Sequence, residues 1–349
     1  MRAAVDVMGG DKAPAAILQG CWDAAPLLEA GDQVLLVGDE TVIRQGLANC
    51  GLAGEKKALY KVIPTTEVIE MDESPVDAVR SKPDSSISVM CKLAGKGEAD
   101  VVISAGNTGA CVAAAQLRMR LLPGVVRPGI AVIFPTFHGP IVICDVGANI
   151  APQPRHLQQY ALMCTAYSQA VCGIDNPRVG LLSIGEEDAK GTTIVKESRK
   201  LMRDEPQINF VGNVEGRDLF KGVVDVVVCD GFVGNIVLKF TEGMAEGMFQ
   251  TIGAELQEHD PALLEQMKPV MKKIYKKHDW QEYGGAPLLG VAGYCLICHG
   301  RSDTRAIKNA IRVGKQLSGS GINEKIVEEI KQSIPAEDIK TLEKSTPKL

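Results

Sequence analysis

Val101-Val102-Ile103-Ser104-Ala105-Gly106-Asn107-Thr108-Gly109 is the stretch on which the reading of the fold turns. It opens with an apolar, β-branched run too short for a helix and breaks at a turn of small residues. It then enters residues 108–120, where apolar residues return at helical spacing. A strand that ends in a glycine turn and passes straight into a helix is the first half of a parallel crossover unit. The same alternation spreads outward in both directions. Strand-like runs occupy residues 3–7, 34–37, 101–104, 130–134, 141–144, 179–183, 208–211 and 226–229, and helical periodicity fills many of the gaps, as at 155–171 and 194–203. The runs are almost wholly apolar and rich in Val and Ile, as strands buried on both faces are. The expectation is an α/β fold of three layers, α/β/α, around a mostly parallel sheet. Residues 130–144 are read as a hairpin through Phe137-His138-Gly139-Pro140, and 288–298 as one buried strand.

At 349 residues the chain can bury a large core, in one big domain or two smaller ones. No linker, low-complexity segment or repeat divides it, so it is read as a single α/β catalytic domain over 1–349. A helical projection over 235–278 belongs to that domain. Hydrophobic residues make up 45% and charged residues 23%, a globular composition. The net charge of −5 and the 4% of aromatics disfavour nucleic-acid binding, which needs a basic field or stacking side chains. No apolar stretch reaches the roughly 18–20 residues that span a bilayer. The first residues carry no basic and apolar leader, so a cytoplasmic location is expected. The ten cysteines are scattered singly through apolar runs, as core residues kept reduced are.

In the projection, Phe240, Met244, Met248, Ile252 and Leu256 recur at four-residue spacing on one face. Asp260-Pro261 then caps and opens a second helix lined by Leu263, Leu264, Met267, Val270, Met271 and Ile274. Pro269 is expected to kink or interrupt it. Lys268, Lys272, Lys273, Lys276 and Lys277 form a basic cluster on an otherwise acidic chain. The pair of helices is read either as a contact with the core or a partner subunit, or as a reversible contact with an anionic membrane.

Glycine and small polar residues mark the strand ends, where open parallel sheets bind ligands. They follow the first strand at Asp6-Val7-Met8-Gly9-Gly10-Asp11, and recur at Ser104–Gly109 and at Asp145-Val146-Gly147-Ala148-Asn149. They recur again at Gly185-Glu186-Glu187 with Lys190-Gly191-Thr192-Thr193, and at Asp230-Gly231-Phe232-Val233-Gly234-Asn235. Five such turns on a common edge would let backbone N–H groups and helix N-termini hold a phosphate or an oxyanion. Dinucleotide, P-loop and nucleophile-elbow motifs are all missing. A reaction without a protein nucleophile fits, and phosphate is a reactant that brings its own negative charge.

Lys190 is the candidate to hold phosphate, against the plainer reading of a solvated lysine. Asn235 and Asn107, with Thr108, are read as helix caps that also face the substrate. Asp6 and Asp230 are read as orienting donors or acting as bases, against the plainer reading of strand-end carboxylates that cap turns. Gly9, Gly10, Ser104, Gly106, Asn149, Gly234 and His299 complete the candidate phosphate and substrate set. Cys295-Leu296-Ile297-Cys298-His299 spells a haem-attachment pattern, but it lies in an apolar strand-like run of a chain with no export signal. No further ligands are spaced for zinc, so neither metal nor cofactor is expected. His138, His156, His259 and His278 share no spacing.

Seven segments, taken together and in order, resemble one family. They are Asp6–Asp11, 104–110, 145–149, Ser183-Ile184-Gly185-Glu186-Glu187, Phe210-Val211-Gly212-Asn213-Val214-Glu215-Gly216-Arg217-Asp218, 228–235 and Tyr283-Gly284-Gly285-Ala286-Pro287-Leu288-Leu289-Gly290. The family is the bacterial phosphate acyltransferases of phospholipid synthesis, the PlsX family. The resemblance implies an isopropylmalate dehydrogenase/phosphotransacetylase-like fold, homodimeric, with a helical hairpin projecting at 235–278. It further implies transfer of a fatty acyl group from acyl carrier protein to inorganic phosphate, in a cytoplasmic enzyme loosely bound to the membrane. On that reading Lys190 holds phosphate, and Asn235, helped by Asn107, donates to the thioester oxyanion. Rival readings are a coenzyme A-dependent phosphotransacetylase, a decarboxylating dehydrogenase of the same fold group, and a non-catalytic scaffold at the membrane.

Overall fold

The apolar runs are strands of one sheet, and the computed structural model describes residues 1–278, 282 and 284–333 of it and its surrounding helices. Tyr283, and the side chains of Lys276 and Lys277, lie outside the described residues. The strands are β1 (Arg2–Asp6), β2 (Gln33–Gly38), β3 (Tyr60–Pro64), β4 (Val101–Ser104), β5 (Gly129–Thr136) and β6 (Gly139–Cys144). They continue with β7 (Val179–Leu182), β8 (Phe210–Val214), β9 (Val226–Val228), β10 (Ala286–Leu289) and β11 (Tyr294–Ile297). The helices are α1 (Ala15–Asp23), α2 (Glu40–Asn49), α3 (Gly54–Ala58), α4 (Pro75–Ser81), α5 (Ser86–Gly95) and α6 (Thr108–Ala114). After them come α7 (Pro154–Tyr167), α8 (Thr193–Arg203), α9 (Gly231–His259), α10 (Pro261–His278), α11 (Thr304–Ser318) and α12 (Ile322–Ser333).

The sheet has eleven strands in the order β3-β2-β1-β4-β11-β10-β5-β6-β9-β7-β8. Val226, Val227 and Val228 of β9 are fully buried, because helices cover both faces. Burying one such side chain stabilises by roughly 1.5–3 kcal/mol. One apolar layer joins the sheet to α1, α7, α11 and α12 through Ile17, Leu157, Leu162, Ile311 and Ile326. The other joins it to α4, α5 and α6 through Val79, Met90 and Cys111, with Val237 and Leu238 of α9 packed against it. The three-layer α/β/α architecture is the one the sequence predicts.

Three expectations are corrected. Residues 288–298 are not one strand: β10 and β11 pair antiparallel, Ala286 opposite Ile297 and Pro287 opposite Leu296. Gly290 and Gly293, at φ of +93° and +97°, allow the reversal between them. Pro269 does not interrupt its helix, since α10 runs through it. Most consequential, the glycine turns do not share one edge. The antiparallel pairings β11/β10, β10/β5 and β5/β6 reverse the chain an odd number of times. Strands β6, β9, β7 and β8 therefore point opposite to β1, β2, β3, β4 and β11, and the turns divide between two opposite edges. The hairpin reading of 130–144 already contained the reversal, with Thr136 opposite Gly139.

Candidate active site

On one edge, β6, β9 and β7 end level, with Cys144 beside Val228 and Val228 beside Leu181. Three segments leave this edge side by side: the turn 145–149, the first turn of α9, and the loop 183–192. Asp145 is fully buried. Its Oδ1 accepts from the N–H groups of Ile130 (3.0 Å), Gly147 (3.2 Å) and Ala148 (3.0 Å), and its Oδ2 from that of Asn149 (2.6 Å). Burial pushes this carboxyl up, and the backbone donors work against that shift. The Asn149 amide donates to the Pro128 carbonyl and to the Tyr160 hydroxyl, both at 2.7 Å. Its carbonyl accepts from the Gly231 N–H at 2.8 Å.

Helix α9 starts against that turn. Asp230, and not Asn235 as expected, caps it by accepting from the Val233 N–H at 2.8 Å, because the helix already begins at Gly231 and Asn235 is its fifth residue; the Gly234 N–H donates to the Asp230 carbonyl. The glycines make the approach possible: a methyl at Gly231 would stand 2.6 Å from Asp145 Oδ2, and one at Gly234 would overlap the Asp145 carbonyl. Among the described residues the Phe232 N–H has no acceptor, and the half-buried Asn235 amide has no hydrogen-bond partner. Phe232 is the second and Asn235 the fifth residue of a 29-residue helix, at whose N-terminus partial positive charge gathers.

Lys190 is exposed on the neighbouring loop, its stem packed over Gly185, where a Cβ would meet Lys190 Cγ at 2.8 Å. The loop is anchored from behind. Arg199 donates to the Asp188 carbonyl, Arg203 pairs with the Asp188 carboxylate at 3.0 Å, and Asn213 donates to the Glu187 carbonyl at 3.2 Å. Lys190 itself makes no ion pair among the described residues. The sequence marks Asp145 only as part of its glycine turn and Tyr160 not at all, because their part depends on Ile130 and Asn149 closing round them.

The opposite edge gathers Asp6, Gly9, Gly10, Ser104, Gly106, Asn107, Thr108 and His299. Asp6 is buried and accepts from the Ser104 hydroxyl (2.7 Å) and the Met8 N–H (3.1 Å). Ser104 in turn accepts from the Gly106 N–H at 3.0 Å. A side chain at Gly9 would overlap the Asp6 carboxylate, and Gly10 sits at a φ of +110°. Asn107 caps α6 by accepting from the Ala110 N–H, and its amide donates to the carbonyls of Glu70, Met71 and Glu73 at 3.1–3.2 Å. That amide is committed, and the three carbonyls close the start of α6. Thr108 is exposed beside it. His299 is half-buried and accepts from the Arg301 N–H. Burial, with Lys239 and Arg301 nearby, pushes its imidazole pKa down, and Asp11 opposes that shift. Lys239 stands one turn beyond Asn235, so α9 leads from the first edge towards the second. Cys295 and Cys298 are buried thiols of the core, the second pushed up to about 12 by burial.

The fold and this edge define a class: a three-layer α/β protein in which the turn 145–149, the first turn of α9 and the Lys190 loop leave one edge of the sheet side by side. The chain belongs to the family described as fatty acid synthesis protein, whose profile matches residues 1–325. It is 45% identical over 329 residues to a protein of Nitratidesulfovibrio vulgaris strain DP4 named phosphate acyltransferase, covering 94% of each chain. To the phosphate acyltransferase of Desulfitobacterium hafniense strain DSM 10664 / DCB-2 it is 47% identical over 338 residues, 96% of this chain and 98% of that one. Its fold is similar to that of a phosphotransacetylase from Streptococcus pyogenes, with a TM-score of 0.61 at 16% identity, over 91% of this chain and 94% of the other.

Proposed function

We propose that this protein transfers a fatty acyl group from the thioester of acyl carrier protein to inorganic phosphate, releasing an acyl phosphate for phospholipid synthesis. The observation that carries the reading is the uncommitted amide of Asn235, near the start of α9, whose Cγ lies 4.0 Å from where a Cβ on Gly147 would stand, on the edge that the Lys190 loop also leaves. A phosphate oxygen attacks the thioester carbonyl, and the carbonyl electrons move onto its oxygen. Asn235 and the Phe232 N–H donate to that oxyanion, with the dipole of α9 behind them. The C–S bond then breaks, and the carrier thiolate takes up a proton. Lys190 offsets the charge of phosphate and holds it for attack on the thioester carbonyl. Asp230, Gly234 and Asn149 shape this edge. His299, with Asp6, Gly9, Gly10, Ser104, Gly106, Asn107 and Thr108 behind it, forms the wall of the substrate cleft that α9 approaches through Lys239.

The acyl chain runs outward along α9, whose Phe232, Ile236, Phe240, Met244 and Met248 are exposed at four-residue spacing. The outer part of α9 and α10, with exposed Val270, Ile274, Lys272 and Lys273, makes a peripheral contact with anionic membrane. No helix among the described residues is long and apolar enough to cross a membrane. A homodimer accounts for further exposed apolar surface, including Phe137 at the β5–β6 tip. The unit is one catalytic domain with a helical projection. The test is a pair of substitutions read kinetically. Asn235→Ala lowers kcat by about 100–1,000-fold, the usual loss for one oxyanion donor. Lys190→Ala acts on phosphate and raises its KM as well as lowering kcat. Near-normal turnover in either variant would remove that residue from the assignment.

A further inference from the structure

Asp145 lies behind the reaction edge with no surface exposed, so it touches neither phosphate nor thioester. Its carboxylate gathers four N–H groups, those of Ile130, Gly147, Ala148 and Asn149, and thereby holds the turn 145–149 to the start of β5. The first turn of α9 rests on that turn at three points. The Gly231 N–H donates to the Asn149 carbonyl, the Gly231 Cα faces Asp145 Oδ2, and Gly234 lies hard against the Asp145 carbonyl. The Cys229 thiol, one residue before the cap, also donates to that carbonyl at 3.4 Å. The first turn of α9 is thus packed directly on the backbone and carboxylate of Asp145.

We infer that Asp145 is a positioning residue of the acyl transfer: it builds the seat that sets the height of the Asn235 amide and the Phe232 N–H over the Lys190 loop. This inference rests on the acyl-transfer reading proposed above. It separates two effects that a merely structural residue would not. The Lys190 loop leaves β7 and is anchored by Asp188, Arg199, Arg203 and Asn213, none of which bonds to Asp145. Loss of the Asp145 carboxylate therefore misplaces the oxyanion donors and leaves the phosphate contact in place. A displacement of about 1 Å at a catalytic group costs on the order of 100-fold in rate.

The experiment compares Asp145→Asn with Asp225→Asn in the full-length protein, by thiol release from a long-chain acyl carrier protein at saturating phosphate. Asp225 stands at the other end of β9, where its carboxylate accepts from Arg178 N–H, Nε and Nη2 at 2.8–3.0 Å. Both substitutions lower Tm. The expected result is a kcat about 100-fold down in Asp145→Asn, with KM for phosphate within about 3-fold of wild type, and an unchanged kcat in Asp225→Asn. A wild-type kcat in Asp145→Asn, or an equal loss in both variants, would overturn the inference. If Asp145→Asn does not fold, Gly234→Ala presses on the same contact from the helix side, and a retained kcat there overturns it equally. A wild-type protein without any turnover would instead refute the acyl-transfer reading.

Discussion

Four asparagines, Asn107 and Asn149 just past β4 and β6, Asn213 within β8 and Asn235 within α9, are separated by their hydrogen bonding. Asn107 gives its amide to three loop carbonyls, Asn149 to Pro128 and Tyr160, and Asn213 to Glu187, while Asn235 keeps its own. From the sequence, Asn107 and Asn235 look equivalent, since each follows a glycine near a helix start. The difference is made by the loop holding Glu70, Met71 and Glu73, more than thirty residues from Asn107 and visible only once folded. Asn107 therefore anchors that loop to α6. Its replacement by Ala removes these half-buried bonds together with the α6 cap and costs about 0.5–2 kcal/mol of stability, measurable by urea denaturation. A stability unchanged within error would contradict the anchoring role.

Among the elements, the alternation of apolar runs with helical spacing was legible because buried parallel strands have no amphipathic pattern to misread. The split of 288–298 was not, because two short strands and the bend between them are equally apolar. Helix α12 carries a titration that composition hides. Its Ile322, Ile326 and Ile330 are buried, and α12 packs on α7, with Glu329 half-buried among them and its Oε2 without a hydrogen-bond partner among the described residues. Burial pushes the Glu329 carboxyl up to about 7; Lys325 opposes the shift and Glu328 adds to it. A carboxyl raised on folding contributes stability at acid pH that is lost as pH rises through about 7. Glu329→Gln should thus remove the fall in Tm between about pH 5 and 8 that the wild type shows; a parallel fall in both proteins would contradict this. The outer part of α9 makes a separate prediction. Phe240→Asp with Met244→Asp should abolish pelleting with anionic vesicles, since each buries apolar surface in the interface. Undiminished pelleting would place the membrane contact elsewhere.

At the scale of the whole molecule, three antiparallel pairings decide where function sits. They turn half the sheet over, so that glycine turns which look equivalent in sequence face opposite ways. Fold class was readable, because it depends on local strand–turn–helix passages. The partition into two edges depends on β5 pairing with β10 across more than 150 residues, which no local pattern records. One edge carries Lys190, Asn235 and the start of α9; the other carries Asp6, Asn107 and His299; α9 runs between them. The central claim is that this arrangement directs an acyl group onto phosphate. The measurement that tests it most directly is thiol release from a long-chain acyl carrier protein, with and without inorganic phosphate, with hydroxylamine trapping the product. The account predicts release that depends on phosphate, matched by trappable acyl phosphate, and far stronger saturation by acyl carrier protein than by acyl-coenzyme A. Well-folded protein that releases no thiol at any phosphate concentration would contradict it.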